Sequence, residues 1–208
     1  MTSKNSKLNY SDISLYLHPD VYEPSEDTFQ MLEAIEVDSE EKILEIGTGC
    51  GIIALDCAKR GAEVVCSDIN PFAVQLAEYN YQNNQSLITG KVNVRYGDLF
   101  NVVDSKEKFD VIIFNPPYLP ASKENHIDDS GWFNIAVDGG VDGLFLTIRF
   151  LKSVKKYLNE NGRAYFVFSS LSNQDRLNYL LNEEGFKSRI VNSYCYDGER
   201  LEIYSLYN

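Results

Sequence analysis

Four short apolar runs, KILEI (42–46), AEVVCSD (62–68), FDVIIF (109–114) and RAYFVF (163–168), recur along the chain with helix-spaced segments between them. This alternation constrains the fold more than any other feature. A strand that is apolar on both faces must be covered on both faces, so such strands belong in a parallel sheet wrapped by crossover helices. Helices are expected from a Ser25 N-cap to about Ile35, over 51–59, from Pro71 to about Tyr81, over 144–158 and over 173–182. Glu26 and Asp27 suit the dipole of the first, and proline favours the opening position of the third. KVNVRY (91–96) alternates as a strand does, and FKSRIV (186–191) and RLEIYSLY (200–207) complete seven strands. Only VNSYCYDGE separates the last two, too little for a crossover helix, so one of them must run antiparallel. The expected fold is α/β: a doubly wound, Rossmann-like, mostly parallel seven-stranded sheet with one antiparallel C-terminal strand and helices on both faces. Residues 1–208 read as a single domain, with a polar N-terminal arm over 1–20, a pre-strand helix within 21–41, and a long polar loop over 119–142. A loop of that length inside a compact domain suggests disorder or a substrate loop.

With 44% hydrophobic and 24% charged residues the chain is ordinary for a soluble globular protein. No apolar run approaches a membrane span, and MTSKNSKLNYSD has no apolar core behind its lysines, so a cytoplasmic protein is expected. Cys50, Cys57, Cys66 and Cys195 form no C-x-x-C pair, and only two histidines could assist them, so reduced thiols are expected and no metal. Residues 1–41 carry −8 of the net −12. A protein acting on naked nucleic acid usually shows the opposite sign, whereas an acidic surface suits solubility or a basic partner.

LEIGTGCG places Gly47, Gly49 and Gly51 between the first apolar strand and its helix, where backbone can approach a ligand at a helix N-terminus. Asp68 ends the next strand, 21 residues after Gly47, where a carboxylate can accept both hydroxyls of a ribose. The spacing is G-x-G-x-G rather than the dinucleotide G-x-G-x-x-G. Glu45 would crowd a pyrophosphate and suits a cationic, amino-acid-bearing ligand. Asp98, in the GDL that ends KVNVRY, could accept an adenine amino group or merely form a turn.

FDVIIF is stopped by Asn115-Pro116-Pro117-Tyr118. Proline cannot donate to a ladder and fixes its own φ, so the strand ends in a stiff peptide carrying a polar side chain and freed carbonyls.

Taken together, E-x-G-x-G-x-G, an acid ending strand two, GD after strand three and NPPY after strand four resemble the class I S-adenosylmethionine-dependent methyltransferases. VYEPSEDTF, DGGVDGL and the lack of an added N-terminal domain resemble the archaeal and eukaryotic branch of the HemK-type release-factor glutamine N5-methyltransferases. The resemblance runs from Val21 over nearly the whole chain. It implies S-adenosylmethionine as cofactor, touched by Thr28, Glu45, Gly47, Gly49, Asp68, Asp98, Leu99 and Asn115, with 21–41 as cofactor lid. It also implies the Gly-Gly-Gln loop of a class 1 release factor as substrate.

An amide nitrogen is a poor nucleophile, and Asn115 Oδ1 with the Pro116 carbonyl could hold its two N–H groups in line with a methyl donor, beside a Tyr118 wall. The resemblance further implies a small zinc-binding activator that adds a strand to edge 91–96. His126 reads as a solvated loop residue. NPPY also occurs in nucleobase N-methyltransferases, which leaves that activity, or a non-catalytic cofactor-binding subunit, as alternatives. The acidic balance disfavours direct nucleic-acid binding.

Overall fold

The computed structural model describes residues 6–120 and 131–207. Its central sheet comprises β3 (Lys42–Ile46), β4 (Glu63–Asp68), β5 (Lys91–Tyr96), β6 (Phe109–Phe114), β7 (Leu158–Ser169), β8 (Lys187–Tyr196) and β9 (Glu199–Tyr207). The spatial order is β5-β4-β3-β6-β7-β9-β8, and β9 alone runs antiparallel to its neighbours. The expected fold class is therefore the observed one. Strand side chains alternate between two cores. Ile43, Val111, Ile113, Tyr165 and Val167 meet α1 (Glu26–Ala34), α2 (Ile52–Lys59) and α3 (Pro71–Asn84) on one face. Leu44, Ile112, Phe114, Phe166 and Phe168 meet α5 (Phe145–Val154) and α6 (Gln174–Glu183) on the other. Burial on both faces is why these strands read as unbroken apolar runs.

The stretch expected as a polar arm is different. Residues 7–16 form a hairpin, β1 (Lys7–Tyr10) with β2 (Ile13–Tyr16), whose Ile13 and Leu15 are fully buried. Two buried asparagines one turn apart on α3 hold it as a neighbouring strand would. Asn80 Oδ1 accepts from Tyr16 N (2.8 Å) and its Nδ2 donates to Tyr16 O (3.1 Å). Asn84 does the same for Ser14 at 3.0 and 2.9 Å. Asn80 Nδ2 also donates to Cys50 O (2.8 Å), tying the hairpin to the Gly-rich turn. That duty explains why α3 runs on to Asn84 instead of ending near Tyr81.

Three further boundaries move. The helix expected over 144–158 ends at Val154, and Leu158 already opens β7, pairing with Phe109 before the register shifts to Val111–Arg163. VNSYCYDGE is mostly ladder, out to Tyr196–Glu199. Its turn is Asp197-Gly198, both at positive φ (47° and 89°), as a two-residue hairpin requires. Within the expected loop 119–142, Trp132–Val137 is a short helix, α4, and Leu119 bridges Asp138. His126 lies outside the described residues.

Candidate active site

The strand order reverses between β3 and β6, and a crevice opens beyond the C-terminal ends of β3 to β6, where open α/β sheets bind ligands. Of the residues singled out in the sequence, Thr28, Glu45, Gly47, Gly49, Asp68, Asp98, Leu99, Asn115, Pro116 and Tyr118 line it, and Gly51 instead caps α2. These arrive from five separate segments, so the fold brings together what the sequence spreads over some ninety positions.

In the first turn Gly47 adopts φ +70°, a backbone conformation that a side chain rarely takes. Gly49 N donates to Asp68 Oδ2 and Asn70 N to Asp68 Oδ1, each at 2.9 Å, which fixes that carboxylate at the end of β4. Burial raises the Asp68 carboxyl above its ordinary value, and these backbone donors oppose the shift. Glu45 is buried, with Oε2 accepting from Thr48 Oγ1 at 2.7 Å. Burial pushes its carboxyl up to about 8, against the Thr48 bond and helped by nearby Asp68. Asp98 is met by Arg149, with Nη2–Oδ2 at 2.6 Å and Nη1–Oδ1 at 3.4 Å. Leu99 follows at φ 48°, nearly buried.

At the other end lies the NPPY segment. Asn115 Nδ2 donates to Asp27 Oδ2 at 3.0 Å, and the Tyr118 hydroxyl donates to the same oxygen at 3.4 Å. A carboxylate only accepts, so the Asn115 amide must turn its nitrogen to Asp27 and its oxygen away. That oxygen, Asn115 Oδ1, is buried without a hydrogen-bond partner among the described residues. Asp27 itself is nearly inaccessible, its Oδ1 accepting from Thr28 N at 2.7 Å. Burial, and then the Asp27 charge, hold the Tyr118 phenol well above its usual range, so it stays a donor.

The DGGVDGL motif braces this segment from behind. A Cβ on Gly143 (φ +75°) would fall 2.5 Å from Tyr118 O and 2.2 Å from Ser172 Oγ, so only glycine fits. Ser172 Oγ donates to Tyr118 O at 2.8 Å, and Gly139 N donates to Leu119 O at 2.8 Å.

Sequence reasoning missed four contributors. Asp27 was assigned only to the helix dipole; its signal is an acid beside Thr28 in EPSEDT. Arg149 belongs to no motif and lies in an otherwise apolar stretch, GLFLTIRFL. Ile135 and Val137 of α4 line the crevice although their segment looked like a loop.

Glu45, Asp68, Asp98 and Asp27 all line the crevice, and among the described residues no lysine, arginine or histidine does. Arg149 offsets Asp98, and burial favours the neutral acid at Glu45. This leaves Asp27 and Asp68 as crevice carboxylates with no ion pair among the described residues, which suit a positively charged ligand and oppose a pyrophosphate. Among the described residues nothing donates to Asn115 Oδ1, which leaves this acceptor open to a donor from a ligand. The residues present thus fit an adenosine-type cofactor with a cationic amino-acid tail.

Fold and crevice together define the Rossmann-like methyltransferase class. The family model described as the methyltransferase small domain matches residues 22–129. A Methanocaldococcus jannaschii protein bearing the name of a protein N5-glutamine methyltransferase is 42% identical over 181 residues, covering 86% of this chain and 87% of that one. The eRF1 methyltransferase catalytic subunit mtq2 of Schizosaccharomyces pombe is 28% identical, covering 85% and 84%. Among solved structures, the E. cuniculi Mtq2–Trm112 complex gives a TM-score of 0.68 at 24% identity over 91% of this chain and 99% of that chain, a likeness of fold. The chain belongs to the methyltransferase small-domain family and, within it, to the HemK-type glutamine N5-methyltransferases of archaea and eukaryotes.

Proposed function

We propose that this protein transfers a methyl group from S-adenosylmethionine to the side-chain amide nitrogen of the glutamine in the Gly-Gly-Gln loop of a class 1 translation release factor. The observation that carries this reading is the buried Asn115 Oδ1, without a partner among the described residues and turned by Asp27. A primary amide offers two N–H donors, one for Asn115 Oδ1 and one for the Pro116 carbonyl. This two-point grip sets the nitrogen's direction and stabilises the positive charge that develops on it. Tyr118 walls the planar amide. Bound in the crevice, the cofactor supplies an electrophilic methyl on a sulfonium. Asp68 takes the ribose hydroxyls, Asp98 the adenine amine, and Glu45 with Thr28 the amino-acid end. Residues 21–41 serve as the cofactor lid and 119–142 as the substrate loop. The proton lost after transfer goes to water, and no side chain is required as base. The release-factor assignment is supported by the names of the relatives in this family.

A small zinc-binding activator is the partner this reading supports. β5 is an edge of the sheet. Lys91 N donates to Ala62 O and Gly97 N to Asp68 O, so the odd-numbered N–H groups face β4 and those of Val92, Val94 and Tyr96 face outward. The charges that would blunt this edge are engaged elsewhere, Arg95 by Glu107 and the Val102 carbonyl and Lys91 by Glu63. A strand added there would satisfy the free groups. The neighbouring solved complex, named for Mtq2 with Trm112, pairs a protein of this fold with a second chain.

The test uses methyl-labelled cofactor with three substrates: the release factor, its Gln→Glu variant and DNA. Label should enter the first alone. Label in DNA, or equal label in the Gln→Glu variant, would overturn the assignment.

A further inference from the structure

Arg149 belongs to no motif that points to chemistry, yet it is the partner of a crevice carboxylate. α5 starts directly after DGGVDGL, which sets Leu146 in the crevice wall and Arg149, three residues on, against Asp98. Both nitrogens of its fork reach Asp98, at 2.6 and 3.4 Å. Asp98 lies between two backbone positions at positive φ, Gly97 at 156° and Leu99 at 48°, so its main chain is held by the turn. Its side chain is not: Asp98 is the N-cap residue of the short 3₁₀ turn Leu99–Val102 but makes no cap hydrogen bond to it. The direction of the carboxylate is therefore set by Arg149. An ion pair with side-chain exposures of 42% and 33% contributes little to folding, so its placement calls for another explanation.

We propose that Arg149 is a positioning residue for purine selectivity, holding Asp98 so that it accepts from a 6-amino purine and repels a 6-oxo purine. The inference rests on the reading above in which Asp98 faces the adenine. Each carboxylate oxygen has two acceptor sites, so an oxygen engaged by the guanidinium keeps one for the cofactor's amino group. A planar fork fixes direction as well as distance, which a single ammonium does not. Freed from it, the carboxylate turns into solvent. The cofactor then loses a charge-assisted bond, and a 6-oxo group no longer meets a fixed negative charge.

The experiment measures, by calorimetry, the dissociation constants of S-adenosylhomocysteine and its hypoxanthine counterpart in four proteins: wild type, Arg149→Met, Arg149→Lys and Asp98→Asn. The ratio of the two constants cancels any general loss of site integrity. Wild type should prefer adenine by about 10- to 100-fold, the range for a hydrogen bond to a charged partner. Asp98→Asn should bring the ratio near one, because an amide can turn to donate to a 6-oxo group. Arg149→Met should cut the preference at least threefold, with Arg149→Lys between it and wild type. A ratio lost in Asp98→Asn but unchanged in Arg149→Met would overturn the role of Arg149. A ratio unchanged in Asp98→Asn would show that Asp98 does not read the purine, and the inference would fall with that assignment.

Discussion

Replacing Asp27 with alanine removes the acceptor shared by Asn115 Nδ2 and the Tyr118 hydroxyl. A hydrogen bond to a carboxylate contributes about 1.5–3 kcal/mol, and this is also the preference for the Asn115 orientation that turns Oδ1 inward. Without it the amide can rotate and present a donor to the incoming N–H groups. If the whole preference is lost, kcat falls about 10- to 150-fold, since ~1.36 kcal/mol is a factor of ten. Asp27→Asn keeps a neutral acceptor and should lose less, whereas Asn115→Ala removes the clamp and should lose more. Asp27 also accepts from Thr28 N in the first turn of α1, so the alanine variant should be destabilised by about 0.5–2 kcal/mol. Single-turnover methyl transfer at saturating cofactor, well below the melting temperature and normalised to cofactor-binding sites, separates the two effects. An Asp27→Ala protein that binds cofactor normally and retains more than half of wild-type kcat would refute the orientation argument.

Asp68→Ala should weaken cofactor affinity measured by calorimetry, and unchanged affinity would place the ribose elsewhere. Glu45 predicts a pH dependence. Its folded-state value of about 8 lies above the ~4.3 of an unfolded glutamate, so between these the native state holds a proton the unfolded chain has released. The stability of the cofactor-free protein should therefore fall as pH rises from about 4.5 to 8, by up to ~1.4 kcal/mol per unit, and Glu45→Gln should flatten that slope. Urea midpoints at pH 5 and 8 check this; parallel behaviour of the two proteins would mean the carboxyl is already ionised. Val94→Pro removes an outward N–H from β5 without touching the ladder to β4, so it should abolish association with a strand-adding activator while leaving cofactor affinity intact. Undiminished association in a pull-down would put the partner on another surface.

The doubly covered Lys42–Ile46 and Phe109–Phe114 and the alternating edge strand Lys91–Tyr96 begin and end where their patterns do, whereas the run RAYFVF lies inside the longer strand Leu158–Ser169. The N-terminal hairpin was not legible, because its partners are the side-chain amides of Asn80 and Asn84, some seventy residues away, rather than a strand with a pattern of its own. β8 is mostly exposed, so its outer half carries no apolar signal and only the Asp-Gly turn betrays it. In the crevice, the glycines, the strand-end acids and Asn115 stand out as a Gly-rich turn, strand-end carboxylates and an interrupted strand. The roles given to them come from the family resemblance, and the fold places them along one crevice. Asp27 and Arg149 act on other side chains, and such work leaves no local pattern, since an acid in a first helical turn already has an ordinary explanation.

The central claim is that the Asn115–Pro116 clamp presents a glutamine amide for methylation, and mass spectrometry of a release factor incubated with the enzyme and cofactor tests it most directly. With wild-type enzyme the account predicts a single added methyl group on the side-chain nitrogen of the Gly-Gly-Gln glutamine, nearly absent with Asn115→Ala. A methyl group on another residue, or undiminished glutamine methylation by Asn115→Ala, would contradict it.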